Sequence, residues 1–249
     1  MRNIKLTIEY DGKDFNGWQK QPDKLNIQGT IEKAIEAVTG EVTELNASGR
    51  TDAGVHAIGQ VANFKTNSKI PIEKIPVALN TKLKKTIRII NAEEVDERFH
   101  SRLSCKRKTY RYVINNSEFS SALYRNLECH IPQKLNIEKM QEAAKYFEGE
   151  HDFKAFKASG TSSKSSVRTI YEAKVYKRED TRICIELTGN GFLYNMVRII
   201  SGTLIEVGLG KIEPTEIPKI IESKNREKAG KTLQPQGLYL VKVEYENQK

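Results

Sequence analysis

The chain predicts an α+β fold, a mixed and largely antiparallel central sheet flanked by helices, and three observations carry that expectation. Ile4, Leu6, Ile8 and Tyr10 alternate with polar neighbours at the two-residue period of a half-buried strand. Ile27, Ile31, Ala34, Ile35 and Val38 recur at helical spacing between Asn26, a residue suited to start a helix, and Gly40, one suited to end it. Val167 to Lys177 and Arg182 to Thr188 are two strand-like runs that turn at Glu179-Asp180, as a hairpin does. Strands and helices mixed in this way, with hairpins among them, indicate α+β architecture.

The remaining elements follow in order. After the first strand comes a loop, residues 11–20, that holds the single tryptophan, Trp18. Thr43 to Ser48 predicts a short strand leading into the loop Gly49-Arg50-Thr51-Asp52-Ala53-Gly54, and a further strand spans Gln60 to Lys65. A short helix is expected around Ile72 to Leu83, with Pro76 early in it, then a strand near Ile87 to Glu94. Lys106-Arg107-Lys108 leads directly into a strand, Thr109 to Ile114, in which Tyr110 and Tyr112 face one side and Arg111 the other.

Asn136 is placed to cap a helix with Ile137, Met140, Ala144 and Phe147 inward and Gly149 at its end. Beyond the hairpin a long helix is expected from Phe192 to Val207, another from Pro214, and a last strand from Leu238 to Tyr245. Two αβ halves of similar grammar result, residues 1–104 with the Asp52 loop and residues 105–249, with no strong linker between them.

Composition narrows the partners. Of 249 residues, 38% are hydrophobic and 29% charged, which describes a globular chain with ample core. Forty-one Lys and Arg against thirty-two Asp and Glu leave a net charge of +9, a balance that favours a polyanion, nucleic acid above all. The longest apolar stretch, Phe192 to Leu209, is interrupted by Asn195, Arg198 and Glu206, so no membrane partner is expected. The first residues enter a strand pattern without a signal-peptide core, and Cys105, Cys129 and Cys184 are isolated. Both point to a reducing, cytoplasmic setting. The histidines His56, His100, His130 and His151 lack metal-ligand spacing, and no phosphate-cradling glycine loop occurs. The expectation is no metal and no cofactor.

Arg50 and Asp52 stand two residues apart between Gly49 and Gly54. The plain account of Asp52 is a turn residue bonding its own backbone. A carboxylate on a strand-end loop is also where a rigid scaffold presents a reactive group, and the wider string decides between them. Ala47-Ser48-Gly49-Arg50-Thr51-Asp52-Ala53-Gly54-Val55-His56-Ala57, followed by Gly59-Gln60-Val61 and Phe64, resembles the signature of the tRNA pseudouridine synthase A family.

Further segments resemble that family in the expected order: Phe99-His100-Ser101-Arg102, Lys108-Thr109-Tyr110-Arg111-Tyr112, His151-Asp152-Phe153, Val167-Arg168-Thr169-Ile170, Gly191 to Arg198, Gly202-Thr203-Leu204 and Gly237-Leu238-Tyr239-Leu240. Ser101 stands where alanine is usual, and Thr232-Leu233-Gln234-Pro235 replaces a more common Thr-Ala-Pro-Ala run; neither departure is expected to touch the site residues.

The resemblance implies a pseudouridine-synthase-like fold with a central cleft between the two halves. It also implies an isomerase that converts uridine to pseudouridine at positions 38, 39 and 40 of the tRNA anticodon stem-loop. Asp52 is then the catalytic nucleophile. Attack on C1′ of the ribose, attack on C6 of the uracil, and action as a base toward a glycal all remain open. Each needs an ionised carboxylate, which a neighbouring Arg50 favours.

A stacked base must be extruded before chemistry. Arg50 is the candidate to hold the flipped nucleotide, Tyr110 to lie against the uracil, and Arg198 to bind substrate and pair with Asp52. Tyr112, His56 and His151 are expected to be structural. For the tRNA body the candidates are Arg102, Lys106, Arg107, Lys108, Lys164 and Arg168, with Lys154 and Lys157 as weaker ones. The Ser- and Lys-rich loop of residues 157–166 is expected to order on tRNA. A homodimer is implied by the family alone.

The competing expectation is a non-catalytic structured-RNA-binding protein using the same basic surface. A zinc deaminase lacks its HxE and PCxxC spacing here. A hydrolytic N-glycosidase calls for a second carboxyl group and releases free uracil.

Overall fold

The computed structural model describes residues 1–160, 165–179 and 181–246. In chain order its first elements are β1 (Arg2–Tyr10), α1 (Ile27–Thr39), β2 (Asn46–Ala47), β3 (His56–Thr66), α2 (Ile75–Lys82), β4 (Ile87–Val95) and β5 (Cys105–Asn115). Then come β6 (Cys129–His130), α3 (Ile137–Lys145), β7 (Gly149–Asp152), β8 (Val167–Glu179), β9 (Arg182–Gly189), α4 (Met196–Gly208), α5 (Ile217–Ser223) and β10 (Leu238–Tyr245). The chain divides into two compact units, residues 1–106 with 239–249, and residues 107–238.

The first unit is a mixed sheet. β1 lies between β4 and β3, antiparallel to both, with Ile4 opposite Phe64 and Leu6 opposite Ala62. β2 adds antiparallel to β3, and β10 adds parallel to it, Tyr239 opposite His56. The core gathers Ile4, Leu6, Ile8, Phe64 and the inner face of α1, Ile27, Ile31 and Ile35, all fully buried. α1 starts as expected, because the Asn26 side chain accepts from Gly29 N–H at 2.8 Å, a cap whose loss typically costs about 1 kcal/mol. It ends at Gly40, which takes the left-handed conformation at φ +74°.

In the second unit β9 is antiparallel to β5 and β8, β7 is antiparallel to β8, and β6 runs parallel to β5. α3 packs on β8 and α4, and its Asn136 cap accepts from Lys139 N–H at 2.9 Å. Tyr112, Ile114, Ile185, Leu187, Phe147 and Phe153 form the centre of its core. Both units are thus α+β with mixed, mainly antiparallel pairing.

Several boundaries differ from expectation for identifiable reasons. The strand expected over Thr43 to Ser48 shrinks to Asn46–Ala47, because side chains take the place of the ladder: Glu32 accepts from Leu45 N–H at 3.2 Å and Thr43 donates to Lys65 O at 3.1 Å. The long helix begins at Met196 rather than Phe192, since Asn195 sits at φ +60°, a left-handed conformation no α-helix contains. The Asn136 helix stops at Lys145, and Gly149, at φ +102°, opens β7 instead.

The helix expected from Pro214 begins as a single 3-10 turn and becomes regular at Ile217. β3 starts at His56 and β5 at Cys105, so the Lys106-Arg107-Lys108 cluster lies within a strand. Among the described residues no helix is long and apolar enough to cross a membrane.

Candidate active site

In the first unit, Asp52 lies on the connection from β2 to β3. The backbone there is fixed residue by residue. Ser48 N–H donates to Val61 O at 2.8 Å, extending the β2 pairing by one step. Thr51 is buried, its Oγ1 2.7 Å from the Tyr10 hydroxyl, while its carbonyl accepts from Trp18 N–H at 3.0 Å. A Cβ on Gly17 would come within 2.7 Å of that carbonyl, and Gly17 holds φ +84°, so this close approach needs glycine. Val55 N–H then donates to Asp52 O at 3.1 Å, closing a turn in which Gly54 takes φ +77°. With Ser48, Thr51 and Val55 held inward, Arg50 is exposed and Asp52 half-buried.

His56 follows as a structural residue. It is buried, its ring stacks on Tyr239 with centroids 4.9 Å apart, and its Nδ1 accepts from Gly12 N–H at 3.1 Å.

In the second unit, Tyr110 and Tyr112 share one face of β5, opposite Leu187 and Ile185 of β9. Their surroundings differ. Tyr112 is fully buried, donates its hydroxyl to Gln234 O at 2.7 Å and covers Gly237, where a Cβ would lie 2.7 Å from its ring. Burial pushes its hydroxyl pKa upward, and it is a core residue. Tyr110 retains 8% exposure and meets Phe192 edge-on, centroids 5.2 Å apart and planes at 80°.

Arg198 is half-buried on the first turn of α4. Its Nε donates to Leu233 O at 2.7 Å and its Nη1 to Asn195 Oδ1 at 2.7 Å. Two donors in fixed directions hold the guanidinium in one orientation. The Leu233 contact also corrects an expectation, since the departing run 232–235 does touch a site residue, through its backbone.

The basic candidates separate by environment. Arg102, Lys106 and Arg107 are exposed; Lys108 and Arg168 are half-buried; Lys164 lies outside the described residues. Lys106 pairs with Glu246 at 2.9 Å. Arg107 lies over the Tyr171 ring, 4.6 Å from its centroid. Arg168 donates to Ser165 O at 3.1 Å, and a Cβ on Gly191 would lie 3.8 Å from its Nε, so the side chain runs beside the segment leading to Phe192. Burial lowers its pKa from the ordinary guanidinium value.

Lys154 is exposed and Lys157 half-buried; the loop of residues 157–166 includes 161–164, outside the described residues. Among the described residues no cluster of three or more His, Cys, Asp or Glu could hold a metal ion.

Sequence reasoning missed Phe192 and Tyr171 as neighbours of candidate residues. Phe192 falls inside a quoted motif, but assigning it to a helix start hid its role as a wall beside Tyr110. Tyr171 carries no sequence signal, because only the register shift between Ile170 and Glu172 takes it out of the regular ladder.

A family model described as tRNA pseudouridine synthase matches residues 6–103 and 143–246. A protein of Acetivibrio thermocellus named tRNA pseudouridine synthase A is 55% identical over 245 residues, covering 98% of this chain and 100% of that protein. Proteins of the same name from Ruminiclostridium cellulolyticum and Caldicellulosiruptor saccharolyticus are 54% and 55% identical over the same span and with the same coverage.

Proposed function

The chain belongs to the tRNA pseudouridine synthase family, and from that premise we propose that it isomerises uridines of the tRNA anticodon stem-loop, at positions 38, 39 and 40, with Asp52 as the attacking carboxylate. The observation that carries the reading is the β2–β3 connection, which pins Ser48 and Thr51 inward and leaves Asp52 half-buried beside an exposed Arg50.

In the reaction the N1–C1′ bond breaks, the uracil turns, and a C5–C1′ bond forms. The C5 proton leaves to solvent while N1 gains one, so no redox partner enters. Asp52 forms the transient adduct that divides one difficult glycosidic step into two. Arg50 holds the backbone of the extruded nucleotide, its guanidinium suited to phosphate and to stacking together. Tyr110 stacks on the uracil, with Phe192 fixing its ring. Arg198, held by Leu233 and Asn195, binds the substrate as an oriented cation.

Arg102, Lys106, Arg107, Lys108, Lys164 and Arg168 contact tRNA phosphates and carry the salt dependence. The working form is a cytoplasmic homodimer.

The test is to incubate the protein with an unmodified tRNA transcript carrying uridine at 38, 39 and 40 and to map pseudouridine by primer extension after carbodiimide treatment. Stops confined to those positions support the reading. Modification elsewhere, with these three uridines untouched, overturns the assigned site.

A further inference from the structure

We propose that Gln60 and Tyr10 are positioning residues for the reaction, a buried clamp that sets where Arg50 and Asp52 point. The proposal rests on Asp52 acting as assigned above. Gln60 lies on β3 with no exposed surface, although its side chain is an amide. Its Oε1 accepts from Ser48 Oγ at 2.7 Å and from Val61 N–H at 3.1 Å, while Nε2 donates to Gly49 O at 2.9 Å. Both Oε1 lone pairs and one Nε2 proton are thus engaged, and a flipped amide would oppose Val61 N–H and the Gly49 carbonyl, so its orientation is fixed.

Tyr10 holds the next stretch of the same loop. It is buried, and its hydroxyl meets Thr51 Oγ1 at 2.7 Å. The two residues thus grip positions 48, 49 and 51, on either side of Arg50 and immediately before Asp52. Nothing in this arrangement reaches outward, so its contribution to activity is geometric.

The strand is built to place the amide there. Between Ile8 and Tyr10 the β1–β3 register shifts, from Ile8 opposite Gln60 to Tyr10 opposite Ala57, an irregularity immediately beside Gln60. Beside it, Gly59 lets β10 close in on β3, since a Cβ there would lie 2.5 Å from Val241 O. A misplacement of about 1 Å at a reacting group can cost about a hundred-fold in rate, which makes a clamp of this kind consequential.

Gln60→Glu distinguishes positioning from mere packing, because it is nearly isosteric. An ionised carboxylate keeps both acceptor bonds but opposes the Gly49 carbonyl; a protonated one donates to it and restores the clamp. Burial and that carbonyl raise the introduced group above the ordinary carboxyl range, about 4.3. Of the clamp's members Tyr10 alone titrates, and burial pushes its hydroxyl further upward, clear of that window.

The experiment measures tritium release from C5-labelled tRNA transcript by wild type, Gln60→Glu, Tyr10→Phe and Asp52→Ala across pH, with melting temperatures alongside. The expected result for Gln60→Glu is a kcat ratio to wild type near one at low pH that falls about ten-fold or more as pH rises, at unchanged KM. Tyr10→Phe lowers kcat at all pH values, also at unchanged KM, and decides the matter if Gln60→Glu does not fold. A flat ratio near one for Gln60→Glu, a change confined to KM, or full kcat in Tyr10→Phe overturns the clamp. Release persisting in Asp52→Ala overturns instead the reading on which the clamp rests.

Discussion

Phe192 stands edge-on to Tyr110 at 5.2 Å between ring centroids, on the segment that leads into α4. The contact joins two motifs that lie far apart in sequence, and it fixes the tilt of a ring assigned to hold uracil. An edge-to-face pair of this kind contributes about 0.5–1.5 kcal/mol beyond burial. Phe192→Leu should therefore lower the melting temperature slightly and lower kcat more clearly, by roughly the same free energy. Tyr110→Ala should cost about 1–3 kcal/mol of transition-state stabilisation and, because the ring is buried, about 3–5 kcal/mol of folding stability as well. Steady-state kinetics beside thermal melts separates the two effects. A kcat equal to wild type in Phe192→Leu contradicts the assigned role.

The Arg107–Tyr171 pair yields a prediction about salt. Tyr171 is 43% exposed and out of the regular β8–β9 ladder, and Arg107 covers its ring. If Arg107 contacts one tRNA phosphate, Arg107→Ala should reduce the slope of log K against log salt by about 0.7–0.9. Filter binding of tRNA over a salt series measures it. An unchanged slope removes Arg107 from the phosphate-contacting set.

Much of the fold was legible because it is local. Asn26, Gly40 and Asn136 act through hydrogen bonds within one helical turn, and they sit where their chemistry places them. What escaped was set by contacts distant in sequence. Glu32 accepts from Leu45 N–H and the Thr43 hydroxyl donates to Lys65 O, so a strand pattern there becomes loop. Asn195 adopts a left-handed conformation and binds Arg198, so an apolar run that promised helix from Phe192 starts four residues later.

The site divides the same way. The Gly49–Gly54 loop was readable from its residue types, and Tyr112 was separable from Tyr110 as core. Gln60 was not readable, because a polar residue in a strand pattern usually faces water, whereas here β3 is buried continuously from Gln60 to Phe64. Ser101 shows the same limit: the sequence marks it as a departure, and only the fold shows it buried and donating to Asn63 Oδ1 at 2.8 Å.

Asp152 gives the pH prediction. Its carboxylate accepts from Ser166 Oγ, pairs with Lys224 Nζ at 3.0 Å and accepts from Lys154 N–H at 3.2 Å. Ser166 first, and then Lys224, hold its pKa below the usual carboxylate value. A group whose folded pKa is lowered adds stability that is complete above the unfolded value, about 3.9, and is lost as pH falls toward the folded one. Melting temperatures taken from about pH 7 to about pH 3 should therefore decline less steeply in Asp152→Asn than in wild type, from a lower starting point. Parallel curves contradict this.

The central claim is that Asp52 carries the chemistry. The most direct measurement is tritium release into water from a transcript labelled at C5 of its anticodon-arm uridines, with EDTA present and no cofactor added, comparing wild type with Asp52→Ala. Release by wild type and none by the variant, with both binding tRNA equally, is the predicted result. Equal release by both, or binding without release by either, contradicts the account; the second outcome leaves an RNA-binding protein without this activity.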